Sequence, residues 1–345
     1  MIISRTPFRV SFAGGGSDIA DFYHRREGAV LSTTINKFMF LTLHENFTPD
    51  RILFKYRKTE EVADPRQLEH PLARAILTEH GVSGIELQAV ADIPARTGLG
   101  SSSAFTVGLH HALAAYRHVP VGKAGLAERA CQTEIEEVGC PIGKQDQYAA
   151  AFGGLNFFRF LPDERVVVSP LSLPGEVEGE LTGNLHLFYT GVTRRAETIL
   201  RRQREAVRRS EAAFRTLVGM VEIAHEMREA LERGNLEAFG DLLERGWELK
   251  ESLGCGISNP AIAGYYARAR EAGARGGKLL GAGGGGFLLF YCEPERYPRV
   301  RKALGELREI PFRFSRGGSA IVFNDEEPVE AGVGQGKEAM ALAAL

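Results

Sequence analysis

Apolar and polar positions follow two different periods along the first half of the chain. Residues 85–91 alternate between apolar and polar side chains, which is typical of a half-buried strand. Further strands are predicted at 9–12, 38–43, 156–160, 165–168 and 185–189. Residues 104–116 and 126–138 have helical spacing instead, and Gly139 and Pro141 end the second of these helices.

The pattern changes near residue 190, where charged helical spacing begins. Helices are predicted at 194–234, 235–253 and 260–272, then a glycine loop and strand at 278–291 and a closing strand at 320–323. We therefore predict an N-terminal domain at 1–190, a C-terminal domain at 191–330 and a tail at 331–345. Because strands and helices do not alternate regularly, an α+β fold is expected rather than a doubly wound parallel sheet.

The composition excludes several classes of protein. The chain has 345 residues, 44% hydrophobic and 25% charged, which is ordinary for a two-domain globular protein. Lys and Arg number 42 against 44 Asp and Glu, so no overall basic field exists to hold nucleic acid. No apolar run approaches the ~18 residues of a membrane span, and the first residues do not resemble a signal peptide. We expect a cytoplasmic protein with no membrane or nucleic-acid partner and with four reduced cysteines.

Glycine is enriched, with 40 residues in the chain, and much of the excess lies in three loops. The loop PARTGLGSSSA at 94–104 connects a predicted strand to a predicted helix. Its glycines let the backbone approach an anion, and its serines begin the helix where N–H groups are unpaired. This predicts a phosphate cradle, which we assign to Gly98, Leu99, Gly100, Ser101, Ser102 and Ser103. The alternative is a serine N-cap after an ordinary loop.

The other two loops are less specific on their own. GAGGGG at 281–286, which includes Gly283 and Gly284, matches G-x-G-x-x-G but precedes a strand, so it is not a dinucleotide fingerprint. It could equally be a loop whose glycines allow close packing. FAGGGSD at 12–18 has Arg9 before it, and could be a β-bulge with a charged rim.

Together the three loops resemble the GHMP kinase superfamily, which includes galactokinase, homoserine kinase and mevalonate kinase. RTPFRVSFAGGGSD, PARTGLGSSSAFTVGL and KLLGAGGGGFLLFY match its three motifs in order. AGGGSD and GKQDQYAAAFGGLNFF are most similar to the heptose 7-phosphate kinases, with the kinase half of fucokinases nearby. The resemblance implies a two-domain fold with an N-terminal domain like ribosomal protein S5 domain 2 and a ferredoxin-like C-terminal domain.

The resemblance also implies roles for particular residues. Asp146 matches the aspartate that acts as general base on the sugar hydroxyl, and Arg9 the fixed cation that would stabilise developing charge. Glu134 and Ser102 match the oxygen ligands of Mg²⁺. Without the resemblance, Asp146 could be a turn aspartate and Glu134 one of several solvated glutamates.

The resemblance also implies which residues form the acceptor site. Asp18 matches a sugar-hydroxyl ligand of galactokinase, but Gly14, Gly15 and Gly16 replace the Gly-Glu-His found there, so the sugar pocket must differ. Residues predicted to contact the acceptor are Asp18, Gly15, Gly16, Arg194, Arg195, Gly283 and Gly284. The two arginines follow a strand and turn, whereas the other arginines of 194–209 are expected to face solvent.

The sequence thus predicts an ATP- and Mg²⁺-dependent kinase of a small sugar phosphate, with O1 of D-glycero-D-manno-heptose 7-phosphate as the expected acceptor. The alternatives are a fucokinase-like or other monosaccharide 1-kinase, and a sensor that binds ATP and sugar without turnover. The residues leave open the exact sugar and anomer, whether the acceptor already carries phosphate, which residues contact adenine, and whether the protein is a homodimer.

Overall fold

The computed structural model describes residues 1–192 and 196–325, which form two sheets with helices packed against them. The strands are β1 Ile2–Ala13, β2 Gly28–Glu45, β3 Ile52–Lys55, β4 Thr59–Val62, β5 Ile85–Ala91, β6 Leu155–Phe160, β7 Val166–Pro170, β8 Leu185–Tyr189, β9 Gly276–Leu279, β10 Phe287–Tyr291, β11 Arg308–Glu309 and β12 Ala320–Asn324. The helices are α1 Ala20–Tyr23, α2 Pro71–Glu79, α3 Ser101–Tyr116, α4 Lys123–Cys131, α5 Gln145–Phe152, α6 Gly175–Gly183, α7 Ala196–Arg209, α8 Glu211–Glu232, α9 Leu236–Ser252, α10 Pro260–Ala272 and α11 Tyr297–Ala303.

The first sheet has the strand order β12-β1-β2-β5-β3-β4, and β6 and β7 branch from β2. The branch arises because β2 is long enough for two partners: its residues 28–33 pair with β6 and its residues 39–45 with β5. The pairs are antiparallel except β3 with β5. Helices α3 and α8 both contact β1 and β2, so the strand that carries Arg9 is buried along most of its length.

The second sheet is antiparallel, in the order β11-β8-β10-β9, and α9 packs on β9. The two sheets do not divide the chain at a single point. Strand β8 precedes residue 190 yet belongs to the second sheet, and β12 comes from the far end of the described chain yet completes the first. The observed mixture of helices and sheets is the expected α+β architecture. The predicted tail at 331–345 lies outside the described residues.

The predicted helix at 194–234 is interrupted where the structure describes it. Ser210 has extended backbone angles and its hydroxyl accepts a hydrogen bond from the N–H of Ala213 at 3.2 Å, so it caps α8 after α7 has ended. The predicted helix at 126–138 is also modified, because α4 continues as a π-helical turn at Gln132–Glu137. Such turns are frequent at functional sites.

Two further features concern the chain as a whole: its cysteines and its longest apolar helices. The four cysteines all lie in the described residues and are free. No helix in residues 1–192 or 196–325 combines the length and apolar character that crossing a membrane requires.

Candidate active site

The predicted phosphate cradle lies at the start of α3. Gly100 is its N-cap residue with a φ of +75°, and no side chain in the described residues accepts a hydrogen bond from the first N–H groups of the helix. Gly98 also has a positive φ, +85°. The loop therefore presents unpaired N–H groups at the positive end of a helix of 16 residues, which is the local geometry that binds phosphate.

The third glycine loop packs directly against the cradle. A Cβ on Gly98 would lie 2.5 Å from the carbonyl oxygen of Leu280, and one on Gly281 would lie 2.5 Å from the Cα of Gly98. A Cβ on Gly286 would lie 2.3 Å from the carbonyl oxygen of Thr97. Glycine is needed at these positions because two backbone segments touch, which supports the packing alternative for this loop.

Arg9 and Asp146 form a bidentate ion pair beside the cradle. The Arg9 Nε and Nη2 atoms donate to the two carboxylate oxygens of Asp146 at 2.7 and 2.8 Å, and Nη1 donates to the carbonyl oxygen of Gly98 at 2.6 Å. Arg9 is nearly buried on β1, whereas 23% of the Asp146 side chain remains exposed. Asp146 lies in the first turn of α5, and a Cβ on Gly100 would approach its Oδ2 to 3.3 Å. A fixed cation thus orients a carboxylate that is still open to a ligand.

Glu134 is fully buried in the π-helical turn and faces two serines of the cradle. Its carboxylate accepts hydrogen bonds from the hydroxyls of Ser102 and Ser103 at 2.5 and 2.7 Å. The amide of Gln147 donates to it at 2.6 Å. Burial is the main cause that raises the pKa of Glu134 to about 7. The alternative of a solvated helix residue is therefore wrong.

The same group of side chains fits a divalent cation. No lysine, arginine or histidine of the described chain forms an ion pair with the buried Glu134 carboxylate, which instead is held by neutral donors. The Oε1 atom of Gln147 is also buried without a hydrogen-bond partner among the described residues. Carboxylate, hydroxyl and amide oxygens are the ligands that Mg²⁺ prefers.

Asp18 lies at the end of the first glycine loop, within electrostatic range of Asp146. It is buried, and it accepts hydrogen bonds from the N–H of Gly16 at 2.9 Å and from both the backbone and the side chain of Gln145 at 3.1 Å. Burial raises the pKa of Asp18 above its ordinary value of 3.8. A Cβ on Gly15 would lie 3.6 Å from the Gln145 amide, so Gly15 and Asp18 both lie against Gln145, the residue before Asp146.

The remaining predicted site residues are placed differently. The N–H of Gly284 donates to the carbonyl oxygen of Ile257 at 2.7 Å, and a Cβ on Gly283 would lie 2.7 Å from the Cα of Ile257. Both glycines are thus engaged with another loop of the chain, and their contact with substrate stays a prediction. Arg194 and Arg195 lie outside the described residues.

Sequence reasoning missed several polar side chains around this site. Gln145 and Gln147 flank Asp146 on α5, so the Q-D-Q triplet could have drawn attention to them. The buried Lys250 on α9 belongs to no motif used above, and the buried Lys278 on β9 begins the third motif but is assigned no role there. They come into contact with the glycine loops only through the fold.

Comparison with known proteins agrees with this arrangement. Residues 68–154 match the GHMP kinases N terminal domain, and residues 227–310 match the GHMP kinases C terminal domain. D-glycero-alpha-D-manno-heptose 7-phosphate kinase of Campylobacter jejuni is 31% identical over 88% of this chain and 93% of its own. The bifunctional fucokinase/GDP-fucose pyrophosphorylase of Arabidopsis thaliana is 27% identical over 89% of this chain and 31% of its own.

A solved structure agrees in the same way. The D-glycero-D-manno-heptose 1-phosphate kinase of Bacteroides thetaiotaomicron superposes with a TM-score of 0.75 and 27% identity, covering 92% of this chain and 98% of that one. The two family matches include the second and third glycine loops, and the relatives cover most of the chain. On these grounds the chain belongs to the GHMP kinase family.

Proposed function

We propose that the protein is a sugar kinase that transfers the γ-phosphoryl group of ATP to O1 of D-glycero-D-manno-heptose 7-phosphate, giving the 1,7-bisphosphate. The observation that carries the reaction type is the bidentate pair of Arg9 and Asp146 beside a helix N-terminus with unpaired N–H groups. Phosphoryl transfer needs a phosphate cradle, a cation for developing charge and a group that receives the hydroxyl proton.

Each of these parts has a residue in the proposed mechanism. The N–H groups at Ser101, Ser102 and Ser103 hold the phosphates of ATP. The acceptor hydroxyl lies against the exposed edge of the Asp146 carboxylate. As its oxygen forms a bond to the γ-phosphorus, the bond to the β-phosphate oxygen breaks, ADP leaves, and the hydroxyl proton passes to Asp146 and then to solvent.

Arg9 and the metal ligands complete the proposed site. Arg9 keeps Asp146 in one orientation and offers positive charge to the developing alkoxide. Glu134 and Ser102 would hold a magnesium ion, which when bound neutralises charge on the nucleotide phosphates. Asp18, hydrogen-bonded by Gln145, would accept hydroxyl protons of the sugar.

The choice of a heptose rests on similarity and on the first glycine loop. Two relatives are named for heptose phosphates. The name of one specifies the heptose 7-phosphate and the name of the other the heptose 1-phosphate. The three consecutive glycines at 14–16 place no side chain beside Asp18, and a Cβ on Gly15 would be in ordinary van der Waals contact with the Gln145 amide at 3.6 Å. Because these glycines replace the Gly-Glu-His of galactokinase, the acceptor that we propose is larger than a hexose.

A fucokinase-like activity is the second candidate, favoured by the 27% identity to the Arabidopsis protein. It differs from the first in that the acceptor carries no phosphate before the reaction. The predicted contact of Arg194 and Arg195 with the acceptor stays a proposal for either candidate.

The test is ADP release from ATP with a panel of acceptors: the heptose 7-phosphate, the heptose 1-phosphate, free heptose, L-fucose and D-galactose. We expect the highest kcat/KM with the 7-phosphate and a new anomeric phosphate by ³¹P NMR. Faster turnover of free fucose would replace the proposal by the second candidate. Binding of ATP and sugar without ADP release would instead identify a sensor.

A further inference from the structure

Two lysines are buried behind the first and third glycine loops. Lys250 on α9 is 8% exposed and donates to the carbonyl oxygen of Gly281, and Lys278 on β9 is 6% exposed and donates to the carbonyl oxygen of Phe12 at 2.8 Å. In the described parts of the chain neither ammonium group has a carboxylate as ion-pair partner. Each has three N–H donors and uses one of them here.

A buried lysine without a counter-ion is costly, so this pair calls for an explanation. Burial lowers the pKa of Lys250 to about 8, and it lowers the pKa of Lys278 well below its ordinary value. Arg9 contributes to both shifts, so the three cations lie within electrostatic range of one another. Arg9 is already paired with Asp146, and the negative charge of Asp18 acts in the opposite direction on Lys250, so three cations lie near two carboxylates.

Other polar atoms around the same loop are also without partners. The hydroxyl of Ser11 and the Oε1 atom of Gln145 are buried and form no hydrogen bond within the described residues. A Cβ on Gly15 would lie 3.7 Å from the Ser11 hydroxyl and 3.6 Å from the Gln145 amide, so both side chains lie beside this glycine. Phe12, to which Lys278 donates, is two residues before the glycine run.

We propose that Lys250 and Lys278 form an anion subsite that binds the phosphate monoester already present on the acceptor sugar. The inference rests on the proposed function, because it requires an acceptor with a phosphate distant from the reacting hydroxyl. A phosphate dianion supplies the missing counter-charge and accepts the unused N–H donors. The phosphates of ATP have a separate cradle at the start of α3, so the acceptor is the source of this phosphate.

The test compares kcat/KM for the heptose 7-phosphate with kcat/KM for the same heptose without phosphate in wild type, Lys250→Met and Lys278→Met. Because a charge-assisted contact to phosphate is strong, the ratio of the two values should fall by at least about tenfold in each variant. The KM for ATP should stay within about twofold of wild type. Equal losses on both acceptors, or a large rise in the KM for ATP, would refute the subsite.

Lys123→Met is the matched control, since Lys123 also donates to a backbone carbonyl oxygen but is exposed. Its ratio should equal that of wild type. If either methionine variant does not fold, Lys250→Gln and Lys278→Gln take its place.

Inorganic phosphate provides a readout that does not depend on turnover. It should raise the melting temperature of the wild type at constant ionic strength, and this shift should shrink in both lysine variants but not in Lys123→Met. An unchanged shift would count against the subsite. A wild type that phosphorylates only unphosphorylated sugars would overturn the proposed function, while the phosphate shift would still report on the subsite.

Discussion

The guanidinium of Arg9 and the carboxylate of Asp146 share two hydrogen bonds although 137 residues separate them in the chain. The long strand β1 brings Arg9 to the cradle, and the loop before α5 brings Asp146 to the same point. This fork geometry fixes the plane of the carboxylate, so an incoming hydroxyl meets a base whose direction is already set.

Asp146→Asn should lower kcat by ~10²-fold or more, because an amide cannot receive the hydroxyl proton. Steady-state kinetics should show a nearly unchanged KM for ATP, since Asp146 does not contribute to the cradle. Asp163→Asn, at an exposed aspartate paired with Arg165, serves as the control and should behave as wild type. Activity of the Asp146 variant within about threefold of wild type would remove it from the role of base.

Glu134→Gln should raise the Mg²⁺ concentration that gives half-maximal rate, because a neutral amide binds a hard cation more weakly than a carboxylate. A Mg²⁺ titration at saturating ATP measures this. Glu136→Gln is a matched control in the same π-helical turn, since Glu136 is exposed. If both variants give the wild-type titration, Glu134 has no part in metal binding.

The stability of the metal-free protein should depend on pH through Glu134. Burial raises its pKa from an ordinary 4.5 to about 7, so the folded protein holds a proton on Glu134 in a range where the unfolded chain has lost it. This stabilisation is fully present below about pH 4.5 and is lost as the pH rises through about 7.

Relative to wild type, Glu134→Gln should therefore gain up to about 3 kcal/mol in free energy of unfolding across this window. Urea unfolding in the presence of a chelator, at a series of pH values, measures the difference. A difference that stays constant with pH would contradict a protonated, buried Glu134.

Gly98→Ala should weaken ATP binding by about tenfold or more, because its φ of +85° strains an alanine and the new methyl group would collide with the Leu280 carbonyl oxygen. Gly281→Ala, on the opposing loop, should have the same effect. Gly179→Ala in α6 meets no atom within 4 Å and should be neutral or slightly stabilising. Unchanged ATP affinity in both loop variants would show that the contact of the two loops does not shape the cradle.

Much of this site could be predicted from the sequence because its parts are local. Gly98, Gly100 and Ser102 are close in the chain, and their spacing alone predicts an anion-binding helix start. The family resemblance implied that Glu134 lies near Ser102 and that Arg9 lies near Asp146. The structure brings both pairs into hydrogen-bond contact. The burial of Glu134 could not be obtained from spacing, since it depends on the π-helical turn.

The burial of Lys250 could have been predicted from its position in the sequence. Lys250 lies three residues after Trp247 and seven after Leu243, so it falls on the apolar face of α9, where a charge is unusual. The other feature that local patterns missed is the capped break at Ser210, since helical spacing continues on both sides of it.

The pairing of β12 with β1 has a consequence for how the protein is made. Ile2 lies opposite Asn324 and Arg5 opposite Ala320, so one edge of β1 is completed by the last described strand, which is synthesised about 300 residues later. At ~5–20 residues per second, roughly 15 to 60 s of translation separate the two strands. During that time the nascent first sheet keeps an open edge, which is a hazard for wrong pairing between chains.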